Sequence, residues 1–448
     1  MLKKVALSIA GSDPSSGAGI QADLKSFSYL KIHGATVITC ITSQNTHKVG
    51  KIHRVPLEII EDQIDLLYED FQINSVKTGM LYDEQVIKLI SKKIDEYNIS
   101  PIVDPVMVAT SGDFLINEDY IKSFKKNILP KTYILTANIP EAKALTECQI
   151  KSVDDVKNIC KKLYDFGPKY VLIKGGHLKT IDAIDVFYDG KRFYEFNLPM
   201  IKDHKAHGSG CSLSAVITGL IALGDSPVNA VKKAKYIIWS MINEGYILGK
   251  GADVLNHFCR NILPLDISDK KIDIWNDLRE SIDELVLFLP KDFIAEVGMD
   301  FAFAIENAKT FEDICAIDGR LYKTKDGIDY SDVINFCVSR HISKIILAAM
   351  TFDRSVRCAI NISYSEKNLS LCKNAGLKIG FFDRKKEPLK TESTMEWGTK
   401  NAISKLGYVP DVIYDLGSVG KEPMIRILGK NPKDVLLKIK KMLNFAIR

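Results

Sequence analysis

Val5-Ala6-Leu7-Ser8-Ile9-Ala10 runs directly into Gly11-Ser12-Asp13-Pro14-Ser15-Ser16-Gly17-Ala18-Gly19, and then into Ile20-Gln21-Ala22-Asp23-Leu24-Lys25. An apolar run that ends in loop chemistry is the pattern of a buried strand. The small loop residues let backbone approach a ligand closely, and a helix begins straight after them. The loop is neither G-x-x-x-x-G-K-S/T nor G-x-G-x-x-G, so a P-loop is excluded and a dinucleotide fingerprint is not met.

The same alternation continues outward. Strand candidates Thr36–Ile41, Ile102–Val106, Tyr133–Thr136 and Tyr170–Ile173 alternate with helical stretches Leu57–Glu69, Glu84–Tyr97 and Val153–Phe166. This predicts an α/β domain with a largely parallel sheet covered by helices. A hairpin is expected where Val186-Phe187-Tyr188 and Arg192-Phe193-Tyr194 flank Asp189-Gly190, a two-residue turn signal. Arg260 to Asp277 carries Pro264, clustered Asp and Lys and no sustained period, which reads as a linker. Beyond it, strands are expected at Ile314–Ile317, Ile345–Ala349, Ala359–Ile362, Ile379–Phe382 and Val412–Tyr414, with a last helix opened by Asn431-Pro432. The expected division is a first domain over 1–258, a linker over 259–276 and a second, smaller α/β domain over 277–448.

Composition narrows the function classes. A chain of 448 residues has room for about two or three domains. Its 46% apolar and 26% charged residues are those of a soluble globular protein. A net charge of +5 is too small to call for nucleic acid, although it suits anionic small substrates. Ala215–Leu223 falls far short of the roughly 20 apolar residues a membrane span needs. The charged start Met1–Lys4 precedes too short an apolar core for a signal peptide. Nine cysteines without a CxxC pair read as reduced thiols of a cytoplasmic protein.

The chemistry concentrates in His207-Gly208-Ser209-Gly210-Cys211, followed by the small, apolar run Ser212–Val216. A glycine-spaced turn entering a helix presents backbone N–H groups to an anion. Cys211 is expected to open that helix, in a field that favours its thiolate. An anion cradle beside a potential base suggests phosphoryl transfer to a hydroxyl.

These blocks resemble the hydroxymethylpyrimidine/phosphomethylpyrimidine kinases of thiamine synthesis, members of the ribokinase-like superfamily. The resemblance is carried in family order by Ala10–Asp13 with Gly17–Lys25, Ser43-Gln44-Asn45-Thr46, Lys77-Thr78-Gly79-Met80-Leu81 and Val103–Gly112. It continues through Asn138–Ala142, Lys174-Gly175-Gly176-His177 and Gly208–Cys211. The turn reads Gly-Ser-Gly-Cys where the family usually has Gly-Thr-Gly-Cys. The resemblance implies a three-layer α/β/α kinase using ATP and Mg²⁺. Gly11, Asp23, Gln44 and Met80 would meet the substrate: Gln44 can donate and accept at the aminopyrimidine edge, and a thioether suits the ring face. Asp104, Asn138 and Glu141 would surround Mg²⁺ and the phosphates, with Asp104 and Glu141 acting on the ion, in part through water. Asn138 and Glu141 also fit a helix cap with an acidic first turn. Lys174 would neutralise phosphate, Gly208, Ser209 and Gly210 would cradle it, and Cys211 would be the base.

The second domain resembles the thiamine-phosphate synthase domain found fused to such kinases, especially in archaea. Val297–Asp300, Ile317-Asp318-Gly319-Arg320, Arg357 with Ala359–Ile362, and Asp415–Pro423 carry that resemblance. It implies Arg320 and His341 as the catalytic pair, with Arg357 and Lys421 as further phosphate contacts. The partners implied are hydroxymethylpyrimidine, its phosphates and thiazole phosphate, with no nucleic acid or membrane and a homodimer as the default assembly. Two alternatives stay open: a pyridoxal or pyridoxine kinase, and a kinase whose second domain senses thiamine phosphate without catalysis.

Overall fold

The apolar run near the start forms the strand Val5–Ser12 (β1), buried at every position except its two ends. In this computed structural model the described residues are 4–107, 118–176, 182–201, 206–259, 269–325, 327–330, 333–388, 391, 393–418 and 420–444. Parts of two expected features, the Val108–Gly112 segment and His177, lie outside them, as do residues 260–268 of the expected linker. The chain divides into two compact units, residues 1–259 and 260–448. No helix among the described residues is long and apolar enough to cross a membrane.

In the first unit, β1 is followed by Gly19–Tyr29 (α1), His33–Gln44 (β2), Val49–Arg54 (β3), Leu57–Asp70 (α2), Ser75–Thr78 (β4) and Glu84–Glu96 (α3). Next come Ile102–Val103 (β5), Glu118–Asn127 (α4), Ile134–Asn138 (β6), Ile139–Thr146 (α5), Val153–Tyr164 (α6) and Tyr170–Lys174 (β7). The hairpin Asp182–Tyr188 (β8) and Phe193–Pro199 (β9) precedes Ala206–His207 (β10), Ser209–Leu223 (α7), Pro227–Asn243 (α8) and Asp253–Val254 (β11). The nine-stranded sheet runs β3-β2-β1-β4-β5-β6-β7-β8-β9, with β10 and β11 paired separately. The run β2-β1-β4-β5-β6-β7 is parallel, whereas β3, β8 and β9 pair antiparallel at the edges. The parallel centre is buried on both faces, which is why β4 and β5 have no exposed position.

Amphipathic helices close the layers. In α3, Val86, Ile87, Ile90 and Ile94 share the buried face, and the Asp83 carboxylate caps the first turn through Gln85 and Val86 N–H. The hairpin forms as expected, but Tyr188 pairs with Phe193, so its loop is Asp189–Arg192 rather than two residues. Asp189 Oδ1 accepts from the N–H groups of Lys191 and Arg192, and this local bonding makes a longer turn.

The second unit starts with Asp269–Phe288 (α9), so helix occupies part of the stretch expected as linker. It continues with Phe301–Ala304 (β12), Ile314–Ile317 (β13), Leu321–Lys323 (β14), Ile328–Tyr330 (β15), Ile334–Phe336 (β16), Arg340–Met350 (α10) and Cys358–Ser363 (β17). Glu366–Asn374 (α11), Ile379–Phe381 (β18), Thr394–Leu406 (α12), Val412–Asp415 (β19), Met424–Gly429 (β20) and Pro432–Asn444 (α13) complete it. The seven-stranded sheet β16-β13-β12-β17-β20-β19-β18 is antiparallel except between β18 and β19. Ile345–Ala349, expected as a strand, lies in α10. Ile342, Ile345, Ile346 and Ala349 are its buried face, a spacing of three and four that a five-residue apolar window does not reveal.

Candidate active sites

In the first unit a cavity of about 350 Å³ opens at the carboxyl ends of β1, β4, β5, β6 and β7. Open α/β sheets bind ligands there, because strand-ending loops and helix N-termini converge on that edge. Gly11, Gln44, Met80, Asp104, Asn138, Glu141, Lys174, Gly208, Ser209, Gly210 and Cys211 all line it. Sequence-distant blocks thus meet as the motif order suggested.

One wall is cationic and acidic at once. Lys174 Nζ lies 3.0 Å from Asp104 Oδ1 and 3.9 Å from Glu141 Oε2. Asn138 Oδ1 accepts from Glu141 N–H, and Glu141 Oε2 accepts from Asn138 N–H, both at 2.8 Å. This capping box fixes the first turn of α5 and leaves both residues on the cavity wall, so the cap and the site are one feature. Burial pushes the Glu141 carboxyl up to about 7; Lys174 opposes the rise and Asp104 adds to it. A Cβ on Gly210 would come within 3.0 Å of Lys174 Nζ, so glycine leaves room for a phosphate at that cation. Two carboxylates with few direct sites to spare suit Mg²⁺, which keeps several waters.

The turn itself differs from expectation in two respects. Helix α7 opens at Ser209 with Gly208 as its cap at φ +78°, and Cys211 is its third residue. Although Gly19 N–H faces the sulfur and Lys77 is nearby, burial dominates and pushes the Cys211 thiol up to about 11. The expected thiolate-favouring field is outweighed by loss of water, so the thiol is protonated at rest.

Asp23 lies away from the place expected for it. It does not line the cavity but is fully buried, pairing with Lys77 Nζ and accepting from Ser8 Oγ at 2.6 Å. Against burial, Asp23 keeps the Lys77 ammonium above its ordinary value, and Lys77 lines the cavity beside Cys211. Lys77 was visible only as one letter of a motif; no spacing rule marks a buried lysine. Gln44 Nε2 lies 3.2 Å from His207 Nε2, which is itself 3.3 Å from Asp13 Oδ2. Hydrogen bonds from His207, Ser15 and Ala18 outweigh burial and hold Asp13 below the usual carboxylate range.

In the second unit a cavity of about 550 Å³ is lined by Arg320, His341 and Lys421, three of the four residues expected there. Arg357 is elsewhere: its guanidinium sits over the Phe303 ring and donates to Ala304 O. Arg320 Nη1 lies 3.1 Å from Asp300 Oδ2, a buried carboxylate that also meets Ser339 Oγ. The wall packed around His341, together with Arg426, Arg320 and Arg384, pushes its imidazole down to about 4, although part of its surface is open to the cavity. It is therefore neutral near pH 7. Arg340, Lys344, Arg384 and Arg426 also line this cavity. Arg340 and Lys344 share α10 with His341, within three residues of it in sequence; Arg384 and Arg426 come from separate elements and carried no shared signal.

A strand-edge cavity with a glycine cradle, a buried lysine and acidic partners defines a small-molecule kinase of the ribokinase-like fold. A phosphomethylpyrimidine kinase family model matches residues 13–256, and a thiamine-phosphate synthase ThiN model matches residues 277–441. The chain belongs to the phosphomethylpyrimidine kinase family and carries a ThiN domain after its kinase domain. It is 34% identical over 441 residues, 97% of each chain, to the bifunctional thiamine biosynthesis protein ThiDN of Methanocaldococcus jannaschii. It is 39% identical over 255 residues to the hydroxymethylpyrimidine/phosphomethylpyrimidine kinase of Bacillus subtilis, covering 56% of this chain and 94% of that one. Among solved structures it resembles the pyridoxal kinase from Staphylococcus aureus in complex with AMP-PCP and pyridoxal. The TM-score is 0.54 at 32% identity, covering 58% of this chain and 96% of that one.

Proposed function

We propose that this chain makes thiamine phosphate in two stages. The first unit phosphorylates 4-amino-5-hydroxymethyl-2-methylpyrimidine to its mono- and diphosphate with ATP. The second joins that diphosphate to thiazole phosphate and releases pyrophosphate. The observation that carries this reading is the meeting of Lys174, Gly210 and Cys211 around one cavity in a chain matched end to end by a bifunctional relative.

In the first stage, Gln44, held beside His207, presents its amide to the aminopyrimidine, and Met80 packs on the ring. The thiolate form of Cys211 takes the proton of the hydroxymethyl oxygen as that oxygen attacks the terminal phosphorus of ATP, whose bond to the bridging oxygen breaks to release ADP. Lys77 offsets the negative charge of that thiolate before the proton neutralises it. Gly208–Cys211 N–H groups and Lys174 hold the phosphoryl oxygens, and such positioning and charge stabilisation supply most of the catalysis. Asp104 and Glu141 would hold Mg²⁺, which would supply neutralisation of phosphate charge. A pyridoxal kinase reading has the same fold behind it, but both family models point to thiamine synthesis.

In the second stage no strong base is needed. Arg320, oriented by Asp300, and neutral His341 line the reacting space, and the surrounding cations hold two anions. The fused synthase, rather than a silent sensor, is the reading favoured by the match along the whole chain. The domains proposed are 1–258 and 277–448, in a cytoplasmic homodimer that binds no nucleic acid. Purified chain given hydroxymethylpyrimidine, ATP, Mg²⁺ and thiazole phosphate is expected to accumulate thiamine phosphate. Diphosphate without thiamine phosphate would leave only the kinase half standing.

A further inference from the structure

The floor of the second cavity differs in kind from its rim. Arg426 is only 1% exposed, and its Nη1 lies 2.7 Å from Asp415 Oδ2. Arg384 grips the same carboxylate, with Nε 2.5 Å from Oδ1 and Nη2 3.2 Å from Oδ2. Asp415 is fully buried and also accepts from Gly417 N–H at 2.8 Å. One carboxylate therefore answers two guanidiniums, and a net positive charge remains in a wall that excludes water. Arg426 Nη2 is buried without a hydrogen-bond partner among the described residues. Leaving a buried charged donor unpaired is costly. A planar guanidinium kept there is suited to an incoming phosphate oxygen.

We propose that Arg426 and Arg384, clamped by Asp415, form the subsite for a diphosphate group, the leaving group of the second reaction. This rests on the synthase reading above. In that reaction the bond between the pyrimidine methylene carbon and the diphosphate oxygen breaks, and its electron pair departs with the oxygen. The thiazole nitrogen lone pair forms the new C–N bond and the ring becomes a thiazolium cation. No proton, oxidant or reductant is consumed. Negative charge thus grows on the departing diphosphate alone, whereas the thiazole phosphate keeps its charge throughout. Fixed, dehydrated donors accelerate a reaction most where charge develops. Arg426 and Arg384 meet that requirement; Arg340 and Lys421, exposed at the rim, suit the anion whose charge is constant. The N-terminus of α12, with Ser393 and Thr394 on the cavity wall, adds N–H donors toward the same space.

The test uses the full chain, inorganic pyrophosphate as probe, and synthase assays supplied with the pyrimidine diphosphate and thiazole phosphate. Arg426→Met is expected to weaken pyrophosphate inhibition by about tenfold or more and to raise KM for the diphosphate, leaving KM for thiazole phosphate within about twofold. Unchanged pyrophosphate inhibition, or a rise confined to the thiazole phosphate KM, overturns the assignment. Should Arg426→Met fail to fold, Arg384→Gln retains the Arg426–Asp415 pair and is expected to show the same split. A crystal of the unaltered chain soaked with pyrophosphate gives a further reading: the anion against Arg426 supports the subsite, and an anion elsewhere in that cavity rejects it. If the anion binds there but no thiamine phosphate forms, the synthase reading fails and the subsite survives. If thiamine phosphate forms and Arg426→Met leaves pyrophosphate inhibition intact, only the subsite fails.

Discussion

At the scale of single residues, the chemistry turns on how burial changes a side chain that sequence can name but not surround. Cys211 stands where a base is needed, yet loss of water raises its thiol to about 11. If it is the base, kcat/KM of the kinase reaction should climb with pH through the neutral and alkaline range, because the thiolate fraction of the free enzyme rises tenfold per pH unit. Cys211→Ala is expected to lower the rate by roughly 10²–10⁴-fold, to remove that climb and to leave the melting curve in place. Near wild-type turnover in this variant would reject the assignment. His341 moves the opposite way: its imidazole is depressed to about 4 by packing and neighbouring arginines. A depressed histidine stays neutral from above pH 6.5 down to its lowered value. Synthase kcat/KM should therefore show no limb near pH 6.5 and fall only toward pH 4, and an acid limb centred at pH 6.5 would contradict it.

At the scale of elements, the same short segments do two jobs. The capping box that starts α5 also supplies the acidic wall of the kinase cavity, so helix geometry places Glu141. The start of α7 depends on Gly208, at φ +78°, where an added Cβ would meet Gly17 O at 1.8 Å. Gly208→Ala should both strain the backbone, by about 1–3 kcal/mol, and push the turn off the Gly17–Ala18 loop. The expected outcome is a lowered melting temperature together with a kinase loss larger than that of an exposed Gly407→Ala control. An unaffected kinase would show that the close approach is dispensable. Turn chemistry of this kind is legible in Gly-Ser-Gly, since little else tolerates that backbone. The Ile345–Ala349 run was not legible, because five apolar residues fit a strand or one face of α10 equally well.

At the scale of the whole molecule, two units each hold their own core and their own cavity. Their activities should then separate by mutation. Cys211→Ala should still convert supplied diphosphate and thiazole phosphate, and His341→Ala should still phosphorylate the pyrimidine. Mixing the two purified variants should restore thiamine phosphate formation from hydroxymethylpyrimidine and ATP; failure of the mixture would mean that the intermediate does not cross between chains. The kinase motifs, the α/β alternation and the glycine turn were determined by sequence alone, because each is a local requirement of backbone geometry or strand burial. Tertiary structure alone decided that Asp23 lies beneath the cavity, paired to the lining Lys77, that Arg357 faces Phe303, and that Arg384 and Arg426 converge on Asp415. Those outcomes depend on which side chains lose water together, and folding joins positions that no sequence spacing connects.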